Sequence, residues 1–184
     1  MTETRTLGAD LRSLRKSRGL TLEALSARMG RSVGWLSQVE RDISQLEPGD
    51  VKTLAQLLNV PTSLFAMPEA PDAETGRVVR KITRRAIGER VPGLVEELLS
   101  PDLTDGFEVI HSTFLPGSER RQEQTRNTAE LAVMISGRLD IWLGGDKFTV
   151  SAGDAFRIRD EPQRWANPYD TAAVAVWVIS PPVY

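Results

Sequence analysis

Residues 20–41 read LTLEALSARMGRSVGWLSQVER, two short amphipathic segments broken at Gly30. Thr21 offers a hydroxyl N-cap for the first segment, in which Leu22, Leu25 and Met29 fall on one inward face, and Gly30 is suited to a left-handed C-cap. Ser32 is placed to cap the next helix, whose buried face carries Leu36 and Val39, three residues apart. Val33, Gly34, Ser37 and Gln38 are left near the opposite face. Small and amide side chains there suit close approach to base edges, because Gln pairs bidentately with adenine and Val contacts a thymine methyl. The layout is one that places a helix in a DNA groove.

On either side of this stretch the helical spacing continues. Leu7, Leu11 and Leu14 predict a first helix ending near Gly19, with Arg12, Arg15, Lys16 and Arg18 between or after them. Taken one at a time, these four are read as solvated charges rather than phosphate ligands. Pro48 starts a fourth helix with Val51, Leu54, Leu57 and Leu58 as its apolar stripe, and residues 61–65 close the bundle. Trp35 is expected to pack on the bundle rather than stack on a base.

Whole-chain composition sets the outer bounds. The 184 residues are 40% hydrophobic, which allows one fair core or two small ones. Net charge is −2, from 23 basic and 25 acidic residues, so any DNA affinity rests on local placement of charge. Residues 1–68 hold nine basic and seven acidic side chains, whereas residues 69–184 hold fourteen and eighteen. There are no cysteines, which removes disulfides, thiolate metal sites and Cys nucleophiles together. Residues 1–19 show no apolar signal core and no run approaches the roughly 18 apolar residues of a membrane span, so a cytoplasmic protein without a membrane partner is expected. The stretch MPEAPDAETG at 67–76, with its prolines and acids, reads as a linker, set at residues 69–76.

RGLTLEALSARMGRSVGWLSQVERD followed by TLAQLLNVPTSLF resembles the Xre and lambda-repressor-like helix-turn-helix family, over roughly residues 7–66. By that resemblance the second helix crosses the DNA backbone and the third enters the major groove of double-stranded operator DNA. Val33, Gly34 and Gln38 then match base-reading positions, and Ser32, Ser37 and Arg41 match positions near bases or phosphates. The chain departs from the family pattern at two positions. Leu22 stands where many members carry a phosphate-binding Gln, and Asp42 replaces the usual Gly after Glu-Arg, which sets an acid near the DNA backbone.

From about residue 107 the pattern alternates in β fashion, as in FEVIHSTFL, LAVMIS, RLDIWLGG, KFTVSAGD and AAVAVWVIS. Short strands with turns at this density predict a small antiparallel barrel or sandwich. The PGS turn, the block ELAVMISGRLDIWLGGDKFTVSAGD and the ending PQRWANP resemble the cupin fold over roughly residues 77–184. Metal-binding cupins carry two His two residues apart, a Glu four further on, and another His in a second motif. Counting from Glu130 and Asn167 places these positions on Gln124, Arg126 and Gln163, with Arg164 as the substitute if the second motif is one residue short. Arg cannot be deprotonated and Gln is a poor ligand for the usual transition metals. The chain's single histidine, His111, lies on a predicted strand outside both motifs and is read as structural or surface. No metal and no other cofactor is expected.

The former metal position would then present one cation, one anion and two amides: Arg126, Glu130, Gln124 and Gln163. Such a set suits a small zwitterion or carboxylate, with Arg126 on the carboxylate and Glu130 on an ammonium. The alternative is that Arg126 and Glu130 pair with each other, four residues apart, and the domain only dimerises. The arginines of RVVRKITRRAIGER, residues 77–90, suit either an exposed edge strand protected by charge, which is preferred, or extra phosphate contacts. Pairs such as Glu96-Glu97 are too generic to mark chemistry.

These readings converge on an α+β, two-domain protein. Residues 1–68 form an all-α helix-turn-helix bundle, 69–76 a linker, and 77–184 an antiparallel β-barrel of cupin type. The expected function is a non-enzymatic, homodimeric transcription regulator that binds operator DNA and a small-molecule effector. The competing reading is a metal-dependent oxygenase or epoxidase carrying a helix-turn-helix domain.

Overall fold

The computed structural model describes residues 6–66, 71, 73–88 and 91–183. Contacts divide the chain into two compact units. One runs up to Arg85 and also takes in Ser100–Asp105, and the other comprises Ala86–Leu99 and the residues from Gly106 to Val183. Part of the expected linker, residues 69, 70 and 72, and Arg90 of the basic run lie outside the described residues.

In the first unit four helices follow the expected spacing: α1 (Leu7–Ser17), α2 (Leu22–Met29), α3 (Val33–Val39) and α4 (Pro48–Leu58), with a 3-10 turn at Thr62–Phe65. Their apolar faces meet in a core where Leu11, Leu14, Leu25, Leu36, Leu54, Leu58 and Leu64 have no exposed surface. Each boundary has a local cause. Thr21 accepts the Ala24 N–H, Gly30 sits at φ 66° as the left-handed cap, and Ser32 accepts the Trp35 N–H. Pro48 begins α4, and Asp50 accepts the Glu47 N–H at 3.2 Å, closing its first turn.

Two buried ion pairs tie this unit together. Arg15 donates from Nε and Nη2 to both Glu40 carboxylate oxygens, at 2.6 and 2.9 Å, and from Nη1 to the Leu20 carbonyl at 2.7 Å. Arg85 donates to Asp10 at 2.9 Å and to the Leu64 carbonyl at 2.7 Å. Arg15 and Arg18 are therefore not the solvated charges expected: Arg15 is buried, and Arg18 donates to the Leu58 carbonyl at 2.9 Å. The edge strand expected across the basic run shrinks to β1 (Arg85–Ala86), preceded by a 3-10 turn at Lys81–Thr83. Arg80 instead pairs with Glu74 at 2.5 Å, and Ile82 is 93% exposed.

The second unit is built from two sheets. The larger has the order β1, β2 (Leu94–Leu98), β3 (Glu108–Phe114), β10 (Ala173–Ser180), β5 (Ala129–Ser136), β8 (Ala155–Arg159). The smaller has the order β4 (Glu119–Gln124), β9 (Gln163–Ala166), β6 (Arg138–Leu143), β7 (Asp146–Ser151). Strands β2 to β10 pair antiparallel throughout. Period-two alternation turns one row of each strand inward, and Leu94, Phe114, Met134, Leu139, Ile141 and Trp165 from both sheets share one core. Between β5 and β6 the chain turns at Gly137, φ 73°, where a Cβ would run into the Ala172 carbonyl oxygen, so only glycine fits.

Asp140 sits inside the smaller sheet with three donors. Lys147 lies 2.8 Å from Oδ2, and Thr149 and the Tyr169 hydroxyl donate to Oδ1 at 2.7 and 2.9 Å. Burial by itself would raise its pKa, but the donors outweigh it and hold the carboxyl below the usual range. The unfolded chain therefore binds a proton first as pH falls, so the stabilisation present at neutral pH is lost progressively through the carboxylate range and below. Asp140→Asn should show a flatter acid limb than the wild type in urea unfolding measured from pH 7 to pH 3. Parallel pH profiles for the two proteins would contradict this account of Asp140.

Candidate nucleic-acid interface and effector cavity

The residues expected to read DNA lie on α3 and the turn after it. Val33 is 39% exposed and Gly34 faces open space, so the first turn of α3 offers a shallow apolar and backbone surface. Gln38 is exposed, and its backbone carbonyl accepts from Arg41, Ile43 and Ser44 N–H, which anchors the helix end beneath the side chain. Its Oε1 accepts from the Ser44 hydroxyl at 3.0 Å, leaving the amide N–H donors to a partner. Arg41 is exposed and donates from Nε to the Ser37 carbonyl, and Ser37 itself is half-buried. Ser32 uses its oxygen as a cap, so its hydroxyl proton remains to donate. Trp35 is half-buried beneath the Arg31 guanidinium, 4.8 Å from the ring centroid, and Arg31 also holds Asp50 at 2.8 Å.

Arg31 and Ile43, the latter 64% exposed, stand on this surface without having been singled out from sequence. Both are ordinary in type, and only the folded turn after α3 reveals their position. A cleft of about 610 Å³ beside α1 is lined in part by Arg12, Lys16 and Arg41.

Asp42 has a different use from the one expected of an acid near the DNA backbone. It adopts φ 57°, a left-handed conformation that Gly takes without strain, and its Oδ1 accepts the Gly8 N–H at 2.9 Å. The carboxylate thus satisfies the start of α1, where negative charge is also favoured by the helix dipole. Gly8 is required there because a Cβ would strike the Val39 carbonyl oxygen.

In the second unit, Arg126, Glu130 and Gln163 line one cavity, together with Glu96, Ser112, Arg120, Phe114, Trp165 and Trp177. Gln124 stands opposite Gln163 in the β4–β9 register but outside the lining, with a buried Oε1 that has no hydrogen-bond partner. Arg164 points to the other side of β9, stacked 3.6 Å from the Trp142 centroid, so the second-motif position is Gln163.

The cavity is tight. Its volume is about 30 Å³, room for roughly two waters. Glu130 accepts from the Thr128 hydroxyl at 2.8 Å and lies 3.5 Å from Arg126. Glu96 accepts from Ser112 at 3.3 Å, and its Oε2 is buried without a hydrogen-bond partner. Spacing alone does not mark Glu96, although Ser112 on the inward row of β3 is a signal: a buried hydroxyl needs a partner across the sheet, and Glu96 is its register neighbour. These residues do not suit a transition metal, since the lining's two carboxylates, Glu130 held by Arg126 and Thr128 and Glu96 held by Ser112, are joined by a cation and a weakly ligating amide rather than by imidazole. Among the described residues no three His, Asp or Glu side chains converge in a way that could hold one. His111 faces away from the cavity, with Nδ1 3.7 Å from Glu97.

Residues 6–66 match the family described as a helix-turn-helix domain, and residues 110–179 the family described as a cupin domain. The HTH-type transcriptional regulator SutR of Escherichia coli (strain K12) is 29% identical over 156 residues, 83% of this chain and 82% of SutR. An HTH_3 family transcriptional regulator from Vibrio cholerae aligns with 96% of each chain covered, at 21% identity and a TM-score of 0.44. An RmlC-like cupin from Shewanella frigidimarina NCIMB 400 aligns over 58% of this chain and 91% of its own, at 15% identity and a TM-score of 0.50, a likeness of fold. Both resemblances carried by the residues are borne out: the chain holds an Xre-like helix-turn-helix domain and a cupin domain.

Replacing Asp42 tests its structural use. Asp42→Gly keeps the positive φ but removes the acceptor for α1, and should lower stability by about 1 kcal/mol. Asp42→Ala adds left-handed strain of about 1–2 kcal/mol to that loss. Thermal melts should rank wild type above Gly above Ala, and a Gly variant as stable as the wild type would refute the capping role.

Proposed function

We propose that this chain, a helix-turn-helix and cupin protein, is a transcription regulator whose α3 reads operator DNA and whose cupin domain senses a small molecule. The observation that carries the reading is the exposed surface of α3 and its following turn, held in place by the buried Arg15–Glu40 pair. In this reading Val33, Gly34 and Gln38 face base edges, while Ser32, Ser37 and Arg41 face bases or phosphates. Residues 1–68 act as the DNA-binding domain, 69–76 as linker and 77–184 as the sensing and dimerising domain, its two sheets forming the halves of a cupin barrel. The protein works in the cytoplasm as a homodimer, which presents two recognition helices to a two-fold operator. Among the described residues no helix is long and apolar enough to cross a membrane.

The effector proposed for the cavity is a small zwitterion or carboxylate. Its carboxylate replaces Glu130 as the partner of Arg126, and its ammonium takes the place of Arg126 beside Glu130, with Gln163 supplying an amide from the lining and Gln124, behind it on β4, reaching the ligand only if it turns inward. A cavity of about 30 Å³ admits such a molecule only when Arg126 swings away, so binding and a side-chain rearrangement occur together. DNA affinity then changes by as much as the effector discriminates between the two arrangements. No catalytic step is assigned to the cavity, whose lining carries the Arg126–Glu130 pair, the Ser112–Glu96 hydrogen bond and the Gln163 amide in about 30 Å³.

Fluorescence anisotropy on an operator duplex selected from a random pool tests the DNA arm. Gln38→Ala should weaken specific binding by about 1–3 kcal/mol and relax the preference at one base pair, leaving non-specific binding nearly unchanged. Equal loss on every sequence would remove Gln38 from base reading. For the sensing arm, calorimetry with free amino acids and small carboxylates should show binding that Arg126→Ala weakens at least about tenfold. No heat from any of these compounds would sink the effector reading.

A further inference from the structure

The outward side of the larger sheet is apolar where the solvent face of an antiparallel sheet is ordinarily polar. On β5, Leu131, Val133 and Ile135 are 47%, 39% and 55% exposed. The register sets Val178 of β10 beside Leu131 and Val176 beside Val133, extending the stripe to the next strand. Val95 on β2 is 50% exposed. The margins of this face carry opposite charge. Arg157 on β8 lies opposite Leu131, and Arg159 opposite Ala129, both exposed. At the other margin Glu97 of β2 pairs with His111 of β3, which is the register neighbour of Val176.

We propose that this face is the homodimer interface, two copies packing sheet on sheet about a two-fold axis that runs parallel to the strands over β10. The proposal rests on the dimeric reading given above and assigns it a surface. An axis in that direction sets β10 on β10, so that Val176 and Val178 meet their own copies, and lays the β8 margin of each copy over the β2 margin of the other. The register sets Glu97 level with Ala155 of β8, so Arg157, two residues further along that strand, comes within side-chain reach of Glu97 of the second copy, and the symmetry makes that contact twice. An axis across the strands would instead lay β8 on β8 and bring four guanidiniums together, which like-charge repulsion disfavours. The size is adequate. Five strands at about 4.8 Å spacing and about seven residues at about 3.4 Å project roughly 570 Å², and side-chain relief brings accessible area towards the roughly 800 Å² per partner of stable interfaces. His111, which neither the DNA surface nor the cavity uses, lies in the middle of this face.

Sedimentation equilibrium on the full chain tests the surface. The wild type should be a dimer, and Val133→Glu should sediment as a monomer with an unchanged far-UV circular dichroism spectrum. Glu97→Arg and Arg157→Glu should each raise the dimer dissociation constant about tenfold, because each change enters the interface twice, and the double reversal should return it to within about threefold of wild type. That recovery separates lost complementarity from misfolding. A wild-type dimer indifferent to Val133→Glu and to both reversals would place the interface elsewhere and leave the dimeric reading standing. Failure of the double reversal to recover would overturn the proposed axis, and a monomeric wild type would overturn the surface and the dimeric reading together.

Discussion

Arg15 is the side chain on which the DNA-binding unit turns. Its guanidinium grips Glu40 at the end of α3 with two short bonds and the Leu20 carbonyl before α2 with a third. One planar cation therefore fixes α1, the entry to α2 and the exit of α3 relative to one another, and Glu40 holds the Arg15 guanidinium protonated more firmly than usual. Burying such a pair is not a cheap way to gain stability, since desolvation opposes the attraction. What it supplies is geometry. A recognition helix of seven residues, Val33–Val39, has too few turns to orient itself, so its pose must be imposed from outside. Asp42 completes the arrangement by returning from the turn after α3 to the start of α1.

The cupin unit shows a related economy of polar groups. At the position where the resemblance to metal-binding cupins predicts His ligands, this chain sets the Arg126–Glu130 pair, braced by the Thr128 hydroxyl, and the Gln163 amide at a cavity of about 30 Å³. Arg126 and Glu130 already engage each other, and Glu130 also the Thr128 hydroxyl, while Glu96 Oε2 is buried with no hydrogen-bond partner. A site so filled can respond to a ligand only by exchanging partners, which is the physical basis for coupling occupancy to shape.

The sequence discloses what is local and hides what is tertiary. Thr21, Gly30 and Ser32 are legible as caps because capping depends on residues three or four apart, and the alternation along β3, β5 and β10 is legible because it has period two. Arg15 looks like one more surface charge, since its partner lies 25 residues away. Asp42 looks like an intrusion on the DNA surface until the fold brings Gly8 to it. The choice between Gln163 and Arg164 depends on which residue of β9 points inward, and a one-residue uncertainty in strand register reverses that answer. Glu96 is invisible as a cavity residue because its meaning comes from Ser112 on the neighbouring strand. The basic run at 77–90 misleads for the same reason: Arg85 is drawn inward by Asp10, and a strand reading built on alternation does not see that pair.

In the proposed homodimer α3 is presented twice, in a fixed pose, to one DNA site. Selection of bound duplexes from a random pool by the full-length protein, followed by sequencing, measures this directly. The expected product is an enriched inverted repeat whose half-sites are centred about one helical turn, ~10 base pairs, apart. A pool that shows no enrichment, or enriches only a single unpaired half-site, would contradict the account.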